Sequence, residues 1–179
     1  YRIGATLKVN TTISNDSLKT GLVGHWTFDG PTVSGTSVAD LSGQGNHGTM
    51  TNMNTTAARV KGKLGQGMEF DGVNDYVDIA DADDTKYTGA LTICEWANIQ
   101  TGSQFRHFAG KHTGNGATNN PFDFRTSNDA TPIMILVRAN ASGARVFDGP
   151  SVTLGEWKHY CVTVANGAIT TAPTFYING

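Results

Sequence analysis

The chain has two cysteines, and each lies in a run of residues that predicts a β-strand. Cys94 lies in the run 91–96, and Cys161 lies in the run 157–164. A zinc site needs four ligands in closely spaced pairs, and a redox motif needs two cysteines separated by only two residues. The pair therefore predicts a disulfide between two neighbouring strands, which requires an oxidising compartment, or two unlinked and buried small side chains.

The composition predicts a globular domain with a core of its own. The chain has 179 residues, of which 38% are hydrophobic, and a formal net charge of -2. Its basic residues do not cluster beyond the scattered Arg59, Lys61 and Lys63, which argues against nucleic acid and anionic membrane surfaces as partners. No apolar run approaches the length of a membrane span, so we expect no direct membrane insertion.

The two ends of the chain predict a piece of a longer protein. Residues 1–20 are polar and lack periodic hydrophobicity, so we expect an N-terminal tail or stalk before a domain at 21–179. The first residue is Tyr1 and not methionine. The chain stops at an Asn178-Gly179 turn signature directly after a predicted strand, so we expect the domain to lack its C-terminal strands.

Turn residues separate short apolar runs throughout the sequence, and no run has the periodicity of an amphipathic helix. Glycine is frequent, at 22 residues, and proline is rare, at 5. The spacing is typical of an antiparallel β-sandwich. The predicted strands are Leu22 to Phe28, Gly67 to Phe70, Tyr76 to Ile79, Ala90 to Asn98, Phe105 to Gly110, Phe122 to Arg125, Ile133 to Val137, His159 to Val164 and Thr174 to Ile177.

The aromatic residues of these strands are the predicted core. Trp26, Trp96 and Trp157 could instead be platforms for sugar stacking, but each lies in an apolar strand pattern, which favours packing in the core. The residues that we expect to contribute to the core are Trp26, Phe28, Phe70, Trp96, Tyr160, Val162 and Phe175.

Several spaced motifs resemble the laminin G-like domains of bacterial surface and secreted proteins. They lie at 21–29, 40–48, 65–77, 91–96, 157–161 and 174–179. The resemblance implies an all-β fold, an antiparallel two-sheet jelly-roll sandwich of the concanavalin A-like type. The positions of Cys94 and Cys161 are also similar to those of pentraxins, in which the equivalent strands carry a disulfide. This similarity favours the disulfide over two unlinked cysteines.

Calcium is the metal that the sequence favours, as a structural ion. Calcium prefers several oxygen ligands held by loops, and the candidates are Asp29, Asp40 and Asn46. In similar jelly rolls, an acidic residue after the first strand helps to hold a structural calcium ion, and Asp29 matches that residue. The five histidines are scattered without the spacing of a transition-metal site.

A loop rich in glycine and asparagine is the predicted ligand-binding surface. Its amide and backbone groups could bond sugar hydroxyls, although the loop could also be an ordinary mobile connection. By resemblance, the pentraxin ligand site maps onto this loop, with Asn119 and Asn120 in place of an Asp-Asn pair. The candidate ligand-binding residues are Lys111, His112, Asn115, Asn119 and Asn120.

The sequence does not favour an enzyme. The chain has only three glutamates, Glu69, Glu95 and Glu156, and lacks the Glu-x-Asp-x-x-Glu strand motif of concanavalin A-like hydrolases. It also lacks a Gly-x-Ser-x-Gly elbow. We therefore expect a non-catalytic, extracellular or cell-surface recognition domain that binds glycans or a surface protein. The alternatives are a structural or decorating module of a surface filament, pilus or virion, and a divergent glycoside hydrolase.

Overall fold

A computed structural model describes residues 20–56, 58–80, 89–111, 122–140, 143–166 and 168–179. Nearly all of the regular structure in these residues is strand, with one 3-10 turn at Gly30–Thr32. The strands are β1 (Val33–Ser34), β2 (Ser37–Val38), β3 (Gly48–Thr51), β4 (Arg59–Lys61), β5 (Gln66–Met68), β6 (Tyr76–Ile79), β7 (Leu91–Asn98), β8 (His107–Lys111), β9 (Phe122–Thr126), β10 (Ile133–Asn140), β11 (Gly143–Ser151), β12 (Trp157–Val164) and β13 (Thr174–Ile177).

Two antiparallel sheets form the main sandwich, which confirms the predicted fold class. One sheet has the strand order β11-β10-β9-β8, and the other has the order β13-β12-β7. Side chains alternate along each strand, so one face of each sheet supplies the core between them. The residues of this main core that are buried are Ile99, Phe124, Met134, Leu136, Val152, Tyr160, Val162 and Val164.

The predicted disulfide is present and joins directly opposed residues. Cys94 in β7 and Cys161 in β12 are register partners, their Cα atoms are 4.2 Å apart, and 67 positions separate them in the chain. A Cα separation this short is typical of the closely spaced residue pairs of an antiparallel ladder. The bond therefore fixes the register of β7 against β12.

A smaller body of strands precedes the main sandwich in the chain. It consists of the sheet β1-β2-β3-β6 and the hairpin β4-β5. Its own core is built from Val33, Val38, Met50, Ala58 and Met68. Trp26, Phe28, Met53 and Val77 pack against this core and are partly buried.

The predicted strand at Leu22 to Phe28 is wrong. This segment has no strand pairing, and Phe28 has a φ of 58°, in the left-handed region, which ends an extended run. The segment is held instead by the loop at 40–48: the backbone N–H of His25 donates to the Asp40 carboxylate, and the Trp26 indole N–H donates to the Asn46 carbonyl.

Five strands were not predicted from the sequence: β1, β2, β3, β4 and β11. The first four are two to four residues long, so they offer too few positions for an alternating pattern. Strand β11 contains Pro150, and its two large apolar residues, Val146 and Phe147, are adjacent, so it lacks the alternating pattern of a strand with one buried face. It can hold a proline because it lies at the edge of its sheet.

Five of the seven predicted core residues pack into a core, and two do not. Tyr160 and Val162 are fully buried. Phe175 packs against the main core and Trp26 and Phe28 pack against the smaller one, all three partly buried. Phe70 and Trp96 are 43% and 41% exposed, so their prediction as core residues is wrong.

Candidate functional site

The three-stranded sheet has an outer face, which is the face turned away from the main core. Ile93 and Ala97 in β7, and Tyr160 and Val162 in β12, point to the core. Because side chains alternate along a strand, Cys94, Trp96, His159 and Cys161 point outward. Trp96 is held on this outer face by the packing of Ile93 and Ala97 against the core and by the disulfide.

Trp96 lines a shallow pocket on the outer face. Its cross-strand partner is His159, and the two ring centroids are 5.3 Å apart with an angle of 47° between the planes. The Lys63 ammonium lies 5.5 Å from the centroid of the indole ring. The pocket has a volume of about 590 Å³, and its other walls come from Glu156, Trp157, Lys158, Asn178 and Gly179.

Backbone and side-chain hydrogen bonds fix the wall formed by β12 and the end of β13. The backbone N–H of Asn178 donates to the His159 carbonyl, and the Oδ1 of Asn178 accepts from the backbone N–H of His159. The Glu156 carboxylate accepts from the Lys158 ammonium at 2.8 Å. This hydrogen bond, with the attraction between the charges, raises the pKa of Lys158 and lowers the pKa of Glu156.

Two of the predicted calcium ligands, Asp40 and Asn46, lie together in a loop that already satisfies the Asp40 carboxylate. One oxygen accepts from the backbone N–H groups of His25 and Ser42. The other accepts from the Ser42 hydroxyl and from the Asn46 N–H. Burial by itself raises the pKa of this carboxyl, but the bonds from Ser42, His25 and Asn46 outweigh it and lower the pKa to about 2.

The third predicted calcium ligand, Asp29, has a different partner. Its Oδ1 accepts from the backbone N–H of Gln66, at the start of β5. Four donors surround the buried Asp40 carboxylate, so this residue fits the role of an anchor between the segments 22–28 and 40–48 better than the role of a calcium ligand. Calcium binding by Asp29, Asp40 and Asn46 stays a prediction.

Most of the predicted ligand loop lies outside the described residues. Lys111 is the last residue of β8 and is half-buried. His112, Asn115, Asn119 and Asn120 fall within 112–121, which the structure does not describe. Ligand binding by this loop also stays a prediction.

The three glutamates have different environments. Glu69 is exposed, and Glu156 pairs with Lys158. Glu95 is the cross-strand partner of Tyr160 on the core side of the sheet, and within the described ranges its Oε1 is buried without a hydrogen-bond partner. Burial raises the pKa of Glu95 to about 8. Glu95 therefore faces the core and not the outer-face pocket.

Sequence reasoning named Trp96 as a possible sugar platform but favoured burial, and it did not find Lys63 as a neighbour. The alternation of β7 does not identify the face of Trp96. Cys94 and Trp96 point to one side of the sheet, but the other side carries the charged Glu95 together with Ile93 and Ala97. No local signal marks Lys63, because it reaches Trp96 from the turn between β4 and β5.

Comparisons with known proteins agree with this fold. Residues 71–179 match the family Laminin_G_3, described as the concanavalin A-like lectin/glucanases superfamily. No curated protein matches the chain. A similar solved structure is the 2.1 Å crystal structure of residues 221–444 of an S-layer domain-containing protein from Clostridium thermocellum ATCC 27405. The two chains share 23% identity with a TM-score of 0.53, over 87% of this chain and 68% of that chain.

The likeness to the solved structure shows the fold alone, because the identity is low. In the part of the chain that the structure describes, no helix has the length and apolar character needed to cross a membrane. The family match covers more than half of the chain, and the observed sandwich has the architecture of that superfamily. The chain therefore belongs to the Laminin_G_3 family of concanavalin A-like domains.

Proposed function

We propose that this domain is a non-catalytic recognition module of an extracellular or cell-surface protein, and that it binds glycans at the outer face around Trp96. The observation that carries the proposal is the position of Trp96, which is 41% exposed within a pocket. An exposed indole offers a flat apolar surface on which the C–H face of a sugar ring can stack. Glycan recognition also needs polar groups near the ring, and Lys63, Lys158 and Asn178 line the same pocket.

The disulfide supports a pre-formed binding surface. Cys94 precedes Trp96 by two residues, and Cys161 follows His159 by two residues, so all four lie on one face of two strands. The bond limits sliding of β7 against β12 and so keeps the indole and the imidazole side by side. Less conformational freedom is then lost on binding, which favours affinity.

The environments of the glutamates support a non-catalytic role. Glycoside hydrolysis needs two carboxyl groups on either side of the scissile bond. Glu95 faces the core, and Glu156 is engaged by Lys158. Glu95 and Glu156 therefore do not face each other across an open cleft, as the two carboxyl groups of a glycoside hydrolase do.

Glycan-array screening followed by calorimetric titration tests the proposal. We expect one or more glycans to bind the wild type and Trp96→Ala to lose roughly tenfold in affinity, the size of an aromatic contact of about 1.4 kcal/mol. Phe105→Ala is the matched control, since Phe105 is also an exposed aromatic residue but lies beside Arg125. Glycan binding that is unchanged in Trp96→Ala would contradict the proposed site. Binding of a surface protein and of no glycan would contradict the glycan proposal and would favour the other predicted ligand class of a recognition domain, a surface protein.

A further inference from the structure

The Lys63 side chain is part of the Trp96 surface although it comes from another sheet. Lys63 lies in the turn between β4 and β5, and its ammonium is 5.5 Å from the Trp96 ring centroid. The same hairpin approaches β12, because Gly67 in β5 lies close to the Trp157 ring. The hairpin therefore brings a cation to the position where a stacked sugar ring would lie.

The charges at this pocket do not cancel. Lys158 is neutralised by Glu156, with 2.8 Å between Nζ and Oε2. Lys63 forms no ion pair with any carboxylate in the part of the chain that the structure describes. Among the described side chains that line the pocket, Lys63 thus contributes a positive charge that no carboxylate pairs with, in a chain whose formal net charge is -2. Such a local excess of one sign attracts ligands of the opposite charge.

The position of Lys63 has different consequences for a neutral sugar and for an anionic sugar that stacks on Trp96. A neutral ring that stacks on Trp96 must displace the ammonium and lose its attraction to the indole, and it offers no charge in return. An anionic sugar can stack while its acidic group pairs with the displaced ammonium, so the lost contact is replaced by a charge-assisted hydrogen bond. The geometry therefore favours a ligand that combines an apolar ring face with a negative group.

We propose that the outer face selects saccharides that carry a carboxylate or sulfate group, with the ring stacked on Trp96 and the anion bound by Lys63. This inference rests on the proposed function and adds the chemical class of the ligand. Lysine acts as a compact point charge without the fixed fork of arginine, so the same residue can serve a carboxylate or a sulfate. The two chemistries are distinguished by the choice of probes.

Two pairs of probes test the selection by calorimetry at low and at physiological salt. The first pair is a galacturonic acid oligosaccharide and its neutral methyl ester, and the second is a sulfated galactan oligosaccharide and its desulfated form. We expect at least one anionic probe to bind about tenfold more tightly than its neutral counterpart, with a smaller difference at higher salt. Lys63→Gln should remove this preference, and Lys63→Arg should largely restore it.

Lys61→Gln is the matched control, because Lys61 is an exposed lysine at the end of β4 in the same hairpin. We expect it to keep the preference. An equal loss in Lys61→Gln and Lys63→Gln would overturn the inference in favour of general electrostatic attraction. Equal, Trp96-dependent binding of neutral and anionic probes would overturn the inference but leave the proposed function intact. Absence of binding by every saccharide, with variants of unchanged melting temperature, would overturn both.

Discussion

Tyr160 and Glu95 lie directly opposite each other in β12 and β7, on the side of the three-stranded sheet that faces the main core. Burial raises the pKa of Glu95 to about 8, and it also raises the pKa of Tyr160, because both groups would lose hydration in the charged form. At neutral pH the folded domain therefore holds a protonated glutamic acid. The unfolded chain, with an ordinary carboxyl pKa, does not.

Stability should fall as the pH rises from about 4.5 to about 8. In this range the Glu95 carboxyl keeps a proton in the native state that it has lost in the unfolded state. The free energy of unfolding therefore falls by about 1.4 kcal/mol for each pH unit in the middle of the range. Glu95→Gln should flatten the profile in this range and should be more stable than the wild type at pH 8. Urea unfolding at several pH values measures both effects. Glu69→Gln, at an exposed position, is the control. If the free energy of unfolding of Glu95→Gln depends on pH as steeply as that of the wild type, Glu95 is not the source of the pH dependence.

Asp40→Asn should destabilise the domain by roughly 2–3 kcal/mol. The substitution places an amide among four donors that the carboxylate now satisfies, and buried donors without acceptors cost about 1–3 kcal/mol. Since hydrogen bonds lower the folded pKa to about 2, the contribution of Asp40 is complete above about pH 4 and is lost as the pH falls from about 4 to about 2. Asp78→Asn, at an exposed position of β6, provides the comparison in thermal melts. Equal melting temperatures for the two variants would show that Asp40 is not an anchor.

Removal of the disulfide should lower the free energy of unfolding by about 4 kcal/mol, as the loop-entropy relation gives for a closure of 67 residues. The double variant Cys94→Ala/Cys161→Ala avoids free thiols, and for a chain of this size its melting temperature should fall by about 10 °C. Labelling of the unfolded, unreduced wild type should find no reactive thiol. A wild type that melts at the same temperature with and without a thiol reductant would contradict this prediction.

Trp96→Ala should cost less than about 2 kcal/mol of stability, because the ring is 41% exposed and leaves no closed cavity in the main core. Phe124→Ala should cost about 3–5 kcal/mol, because Phe124 is fully buried between the sheets and contacts the ring of Phe108. Chemical unfolding of both variants makes the comparison. If Trp96→Ala is as damaging as Phe124→Ala, the outer face is covered in solution, and the proposed binding surface is wrong.

The sequence predicted the long strands of the main sandwich because they carry strong local patterns: the runs around Cys94 and Cys161 became β7 and β12. Two shorter strands, Tyr76–Ile79 in the smaller body and Thr174–Ile177 in the main sandwich, also have the predicted bounds. The segment 22–28 was misread because its backbone is held by the side chains of Asp40 and Asn46: Asp40 accepts from the His25 N–H, and the Asn46 amide donates to the Val23 carbonyl. Hydrogen bonds of this kind leave no periodic trace in the sequence.

The candidate site was harder to predict than the fold. A residue in the middle of a strand can face either side of its sheet, and only the packing of the two sheets decided the face of Trp96. The approach of Lys63 depends on how a distant hairpin lies against β12, which no local pattern encodes.

The link between Cys94 and Cys161 also has a mechanical consequence. A pulling force applied across the domain passes from β7 to β12 through a covalent bond and bypasses the 67-position segment that contains β8 to β11. Fully extended, that segment would add roughly 230 Å of slack, at about 3.5 Å per residue. The disulfide prevents this extension. If the domain tethers two surfaces under shear, the force would not act on the strands β8 to β11, and unfolding would begin in the strands outside the segment that the disulfide encloses.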